Sequence, residues 1–433
     1  MEASYDSETV EVKAYPRRYL MLFLSAFTSG LIMFQAYEYT SIAKAVSDYY
    51  QVSYVMVTFT SIAGNIAYAA FFFVGVHYLQ KNGIRFCLIV GSAVSALGAC
   101  FKCFSVQRDA FYILIFGQIL PAIGQTLTAP LPPLLAAVWF KNNETATVIG
   151  VYYAFCTLGN ACCAVLNLLF PYGQTECEIE ASFQFIAILT AVLCTLCFIL
   201  VIIFIESKPP NPPSHSQMYR EEIFENTSLK ILFKNKNYLL LASSFVINST
   251  VSMTLSIIFN QMVFTVFPNG HNIVTIGGLL MTLSGLVGAL FIPYLLDRTK
   301  KFQLISITCF AASLFFLMLM LHSSLLKSVA YFEISTFLFG LFLVGFTSIA
   351  VDIVVDITYP FPEGTSIGFL YFFSAIPTII ITPMSSSLME NFDISYAFAI
   401  LGSLLLIGTI FLFCGHWELK RKQIEEEKPL LKF

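Results

Sequence analysis

Glu38 lies in the run Phe34-Gln35-Ala36-Tyr37-Glu38-Tyr39, towards the end of the first long apolar segment of a 433-residue chain. An ionisable side chain in hydrocarbon is costly unless it faces a partner or water. Two chemistries are open to it: proton exchange or cation binding inside a cavity, or an interfacial role in which the carboxylate snorkels to the membrane surface. Asp352 and Asp356 are four residues apart and share one helix face. There they either pair with basic loop residues as a gate latch or meet a substrate directly. Asp297-Arg298 reads as a second charged latch, and Glu363 opens the stretch Glu363-Gly364-Thr365-Ser366 before another apolar run. Uncharged groups add to this set. Asn65, Gln118, Gln125, Asn160, Asn167, Asn248, Asn260 and Gln261 sit deep in apolar segments, where an amide seeks a bond across helices worth about 0.6 kcal/mol. Gln35, Asn160, Asn260 and Gln261 are the amides proposed for a substrate path. Tyr37, Tyr39 and Tyr371 are its aromatic candidates, able to build a cation-π cage or simply to fill a core.

Other chemistries are excluded. The sequence has no glycine-rich Lys-Ser/Thr loop, no nucleophile elbow and no metal-ligand spacing. The chain is therefore read as no enzyme, with no cofactor and no metal, and any transport runs downhill or on an ion gradient. No basic run with interleaved aromatics points to nucleic acid. The 11 Cys are dispersed through apolar segments and read as small buried residues. Cys100-Phe-Lys-Cys103 has redox spacing without the βαβ context that such chemistry uses.

The elements that must position these residues are membrane helices. Only 11% of residues are charged and the mean hydropathy is +0.78, far from the about 25% charged of soluble domains. Apolar runs long enough to cross a bilayer fall at 19–42, 54–78, 84–104, 111–137, 146–170, 183–205, 237–262, 274–296, 302–321, 329–356, 365–388 and 395–415. The polar, proline-broken stretch 206–236 separates six of them from the other six. The expected domains are thus 1–205, a linker 206–236, and 237–433. Weak internal matches, Gln80 to Arg85 against Asp297 to Lys301 and Glu144-Thr145-Ala146-Thr147 against Glu363-Gly364-Thr365-Ser366, recur at nearly the same offset and suggest similar halves. At Gln80 the first half lacks the acid of Asp297, which weakens that latch. All Lys and Arg except Lys44, Lys102, Arg108 and Lys327 fall on the side that holds both termini and the linker, which makes that side cytoplasmic. Pro121, Pro130, Pro132 and Pro133 mark span four as bent, as Pro377 and Pro383 mark span eleven. The sequons at Asn143, Asn226 and Asn248 fall in cytoplasmic loops or inside a span, so none is expected to carry glycan. Glu176, Glu178 and Glu180 are read as a solvated acidic loop.

Several stretches resemble one family. They are Phe34-Gln35 with Tyr39, Gly98-Ala99 with Lys102-Cys103, Gly117-Gln118, Ala137-Val138-Trp139-Phe140, Asn260-Gln261-Met262, and Thr358-Tyr359-Pro360 with Glu363-Gly364-Thr365-Ser366. Together they are similar to the feline leukaemia virus subgroup C receptor-related transporters from Arg17 to about Leu412. The resemblance implies an all-α membrane protein of the major facilitator fold, with twelve transmembrane helices in two six-helix halves. It implies a carrier of haem, of choline and ethanolamine, or of other small organic cations and vitamins. It also implies a cage of Trp, Tyr and Gln around a quaternary ammonium, and here this chain departs. The matching positions hold Ala36, Met253, Ala161 and Ala375. That departure leaves three readings: a different substrate, a cage rebuilt from Tyr37, Glu38 and Tyr39, or a receptor or sensor that keeps the fold without net transport.

The tail ends Glu426-Glu427-Lys428-Pro429-Leu430-Leu431. An acidic residue four before a Leu-Leu pair matches the signal read by clathrin adaptors. Glu426, Leu430 and Leu431 are therefore candidates for adaptor binding, with residence in the plasma membrane or an endolysosomal membrane.

Overall fold

A computed structural model describes residues 15–141, 144–171, 174–211, 236–299, 301–358 and 363–415. Every long element among them is a helix. In lipid no water satisfies backbone N–H and C=O groups, so apolar runs must bond within themselves. Twelve helices are long and apolar enough to cross a membrane: Arg17–Ser41, Tyr54–Leu79, Lys81–Cys103, Phe111–Thr128, Thr147–Leu169, Glu176–Phe204, Lys236–Val266, His271–Leu296, Phe302–Leu325, Val329–Val354, Ser366–Asn391 and Ile394–Cys414. They are spans one to twelve below, and the expected fold class holds. With an even count, both ends of the helical bundle lie at one face, here called the terminal face. The other is the opposite face.

Local chemistry sets the breaks. Gly83 adopts φ 75° in the first turn of span three, where the chain bends away from span two, a conformation that glycine takes without strain. Span four was expected to reach residue 137 and instead stops at Thr128, followed by a separate short helix Leu131–Trp139. Proline lacks the N–H and crowds the preceding turn, so Pro130, Pro132 and Pro133 begin a helix there and cannot continue one. Span one ends at Ser41, Ile42 leaves helical geometry, and a new helix Ala43–Tyr50 follows. Glu176, Glu178 and Glu180 do not form a loop, contrary to expectation. Thr175 and Glu178 make a reciprocal capping box, which starts span six seven residues earlier than the apolar run alone suggests. Glu176 also has a base, Arg108, at 2.9 Å.

Spans approach closely where glycine removes the side chain, since packing rather than hydrophobic force joins helices in lipid. Gly30 of span one and Gly159 of span five face each other so tightly that a Cβ on Gly159 would overlap the Gly30 carbonyl. Gly288 meets Leu341 in the same way between spans eight and ten. Gly150, by contrast, has nothing near its side-chain position. Gly159→Val is therefore expected to lower stability by about 1–3 kcal/mol, the usual cost of overpacking, and Gly150→Val to be near neutral. Thermal melting of the purified protein checks the pair.

Candidate functional site

The break at Ile42 exposes backbone groups that no helix satisfies. The last carbonyls of span one and the first N–H groups of helix Ala43–Tyr50 lack partners within their own helices. Asn260 of span seven, in the other half, supplies them. Its Oδ1 accepts from the Lys44 N–H at 2.9 Å, and its Nδ2 donates to the Ser41 carbonyl at 2.6 Å. The second Nδ2 hydrogen goes to Asn167 Oδ1 at 2.9 Å, and Asn167 Nδ2 itself donates to the Ser41 carbonyl at 2.9 Å. One primary amide thus spans a broken helix, with both Asn side chains buried. This clamp holds the two halves together at the opposite face.

Beside the clamp is a cavity of about 40 Å³ between the halves, lined by Asn160, Asn167, Ser256, Asn260, Met281 and Thr282 among others. That is room for a few water molecules. At the terminal face the halves meet through rings. Phe72 of span two lies 5.3 Å from Phe372 and 5.8 Å from Phe369 of span eleven, centroid to centroid. Tyr371 packs edge-on against Phe245 at 5.4 Å and lies against the cluster that holds Tyr68 and Phe72 of the first half. Tyr37 reaches across to the core of the second half. The halves therefore touch at both faces, and the small cavity lies beside the clamp.

Of the residues the sequence singles out, Asn160 and Asn260 line that cavity, and Tyr37 and Tyr371 face the junction of the halves. Gln261 does not line it. Its amide is used within the second half, accepting from Ser386 Oγ at 2.6 Å and donating to the Ser386 carbonyl at 3.0 Å. Gln35, Glu38 and Tyr39 point into the first half, away from the cavity. The interfacial reading of Glu38 fails, because it is 1% exposed. Its Oε1 receives the Lys102 ammonium and, at 3.3 Å, Gln118 Nε2. Lys102 also donates to Gln35 Oε1 at 2.9 Å and lies 5.9 Å from the Tyr39 ring centre. Gln35 Nε2 in turn donates to Ser95 Oγ at 2.7 Å.

Lys102 is the residue that sequence reasoning missed. The sequence places it only among the four bases on the side away from the termini, yet it is 1% exposed. The signal was present: a buried carboxylate needs a countercharge, and few bases stand near span ends on that side. Snorkelling is blocked by the helix Ala43–Tyr50, which lies across the end of span three. Tyr50 and Tyr49 donate to the carbonyls of Ser105 and Val106 at 2.8 and 2.9 Å and fix it there.

Among the gating candidates, Asp352 is exposed and Arg298 lies over the Tyr294 ring at 4.9 Å. The side chains of Asp297, Asp356 and Glu363 lie outside the described set, as do Glu426, Leu430 and Leu431. Ion pairs do stand at the terminal face, though within the first half and its end of the linker and not between the halves. Arg18 grips Glu144 through two bonds of 2.7 and 3.1 Å, and Arg17 pairs with Glu206 at 2.7 Å.

The sequence matches the profile described as Major Facilitator Superfamily over residues 19–382. An uncharacterized MFS-type transporter of Caenorhabditis elegans is 31% identical over 96% of this chain and 72% of its own length. The choline/ethanolamine transporters FLVCR1 of Mus musculus and FLVCR2 of Homo sapiens are 27% and 26% identical. These alignments cover 92% and 96% of this chain, and 74% and 80% of theirs. They bear out the resemblance to the feline leukaemia virus subgroup C receptor-related transporters. Among solved structures, a D-xylose-proton symporter superposes with a TM-score of 0.73 at 12% identity, covering 93% of this chain and 98% of that one. At that identity the likeness establishes the fold alone.

Replacing Asn260 by Ala removes both the donor and the acceptor that join the halves at Ile42. The expected result is faster hydrogen exchange at the Lys44 amide and along residues 43–50, with unchanged exchange in span ten. Equal protection in both proteins would show that the clamp holds nothing.

Proposed function

The chain belongs to the Major Facilitator Superfamily, and from that membership we propose that it carries a small organic amine of the choline or ethanolamine class across a membrane. Transport runs by alternating access, with the halves 1–205 and 237–433 rocking about the linker 206–236. One observation carries the substrate class. The residues lining the cavity are amides, hydroxyls and apolar groups, with no charged side chain among those described, and phenols and phenyl rings stand between the halves. An ammonium is held by ring faces and polar oxygens without a formal countercharge. Haem carries two carboxylates, and these find no Arg or Lys in that lining to bind them. The names of the mouse and human relatives point to the same amine class.

The family's cage is filled here by small or apolar groups. The Ala36 carbonyl accepts from Ser61 Oγ at 2.5 Å, the Met253 sulfur receives the Thr378 hydroxyl at 4.0 Å, and Ala161 and Ala375 are buried. Tyr37, Tyr153 and Tyr371 remain as rings able to meet the ammonium. Positive charge concentrates beside the termini and linker, so the terminal face is cytoplasmic and the Asn260 clamp closes the far side. Burial of Lys102 strengthens this assignment by removing one charge from that far side.

Proteoliposomes bearing the purified protein are expected to take up labelled choline or ethanolamine saturably and to leave haem outside. Tyr371→Ala is expected to raise the KM about tenfold, the scale of one desolvated cation-π contact. A folded protein that moves neither amine contradicts this reading.

A further inference from the structure

We propose that Glu38 is a proton-binding site whose occupancy is linked to opening of the face closed by Asn260. Among the described residues Glu38 is the only buried carboxylate, and it is bonded on one side only. Oε1 takes both Lys102 and Gln118, whereas Oε2 is buried with no donor at full hydrogen-bond geometry, the Thr190 hydroxyl being the nearby group that could turn to it. An acceptor left without a donor is destabilising, and a proton is the one ligand small enough to reach it. The groups facing the carboxylate are Lys102 and Gln118 from spans three and four, Thr190 and Cys194 from span six, Cys163 from span five, and Tyr39 of its own helix. Tyr50 of the covering helix and Cys103 stand one layer further out, beside Tyr39. Lys102 supplies the only basic side chain in this shell.

The chemistry is a plain protonation. A hydronium ion from the solvent gives a proton to Oε2 and leaves as water, the carboxylate becomes a neutral acid, and the Lys102 ammonium keeps Gln35 Oε1 as its acceptor. The buried net charge rises by one. An uncompensated ammonium in a dry site is strongly unfavourable, so the protonated form favours a state in which water reaches the pair. The helix Ala43–Tyr50 lies between the pair and that face, its tyrosines packed on Phe111 and Phe183, and this helix is tied to the other half through Lys44 N–H and Asn260. Removing the cover means releasing the clamp. Proton binding and opening are thus the same equilibrium seen from two sites, and each must favour the other by the same factor. This device would make transport respond to a proton gradient. It rests on the carrier reading only for its use, because proton binding itself requires no substrate.

The test needs no substrate either. Infrared difference spectra of the purified wild-type protein are expected to show, on acidification, the carbonyl stretch of a buried carboxylic acid. That band is expected to be absent in Glu38→Gln/Lys102→Met, which replaces the pair by neutral side chains of similar size and is tolerated where a lone buried charge is not. After correction for intrinsic exchange, amide exchange across residues 43–50 should speed up by as much as about tenfold per pH unit, the limit for one linked proton, in the wild type alone. Absence of the band, its persistence in the double variant, or a band without any change across 43–50 overturns the proposal. Any of those results leaves uptake of an amine untouched, and failure of uptake leaves this titration untouched.

Discussion

Span one stops at Ile42, and most of what distinguishes this carrier follows from that interruption. A continuous helix would satisfy its own backbone and carry the chain straight out of the bundle. The broken one turns the helix Ala43–Tyr50 across the end of span three and leaves a carbonyl and an N–H for another part of the molecule to satisfy. Asn260 does so from the opposite half. The same interruption therefore supplies the groups that close one face and the cover that seals an ion pair beneath it.

The energetics divide between these two consequences. Hydrogen bonds between membrane helices are individually modest, about 0.6 kcal/mol on average. A clamp of three such bonds between the halves is therefore strong enough to hold a face closed and weak enough to release. The Glu38–Lys102 pair is of another kind. Its desolvation is severe, and a buried pair of this type is no better for stability than a well-packed apolar replacement. Its presence one helical turn from Ser41 makes the end of span one sensitive to charge, in a junction whose lining is otherwise neutral. The aromatic contact of Phe72 with Phe369 and Phe372 at the terminal face has neither directional bonds nor charge. Among the described contacts between the halves, the Asn260 clamp is thus polar and the Phe72 cluster apolar.

Much of the fold was legible because lipid imposes simple rules. Ten of the twelve apolar runs correspond to helices of nearly the expected extent. The prolines at 130, 132 and 133 are the reason that span four does not. Span six began early because Thr175 and Glu178 cap it, a pattern of polar residues that an apolar count does not register. The site was legible in residue type more than in place. Glu38, Asn260 and Tyr371 stood out as polar or aromatic groups among apolar ones. Hydropathy cannot say that Gln35, Glu38 and Tyr39 turn inward to meet Lys102, because that depends on the helix Ala43–Tyr50 lying over the end of span three. A break with no proline or glycine at Ile42 leaves no local signal of that turn.

The central claim is that the two faces open in alternation, with the Asn260 clamp and the Phe72 contact never released together. Spectroscopic labels at Gln51 and Asn269 report the separation of the halves at one face, and labels at Lys81 and Thr299 report it at the other. All four positions are exposed. In lipid nanodiscs the account predicts two populations in which one distance lengthens as the other shortens, their ratio shifting when an amine substrate is added. Distances that stay fixed, or that lengthen together, would contradict it.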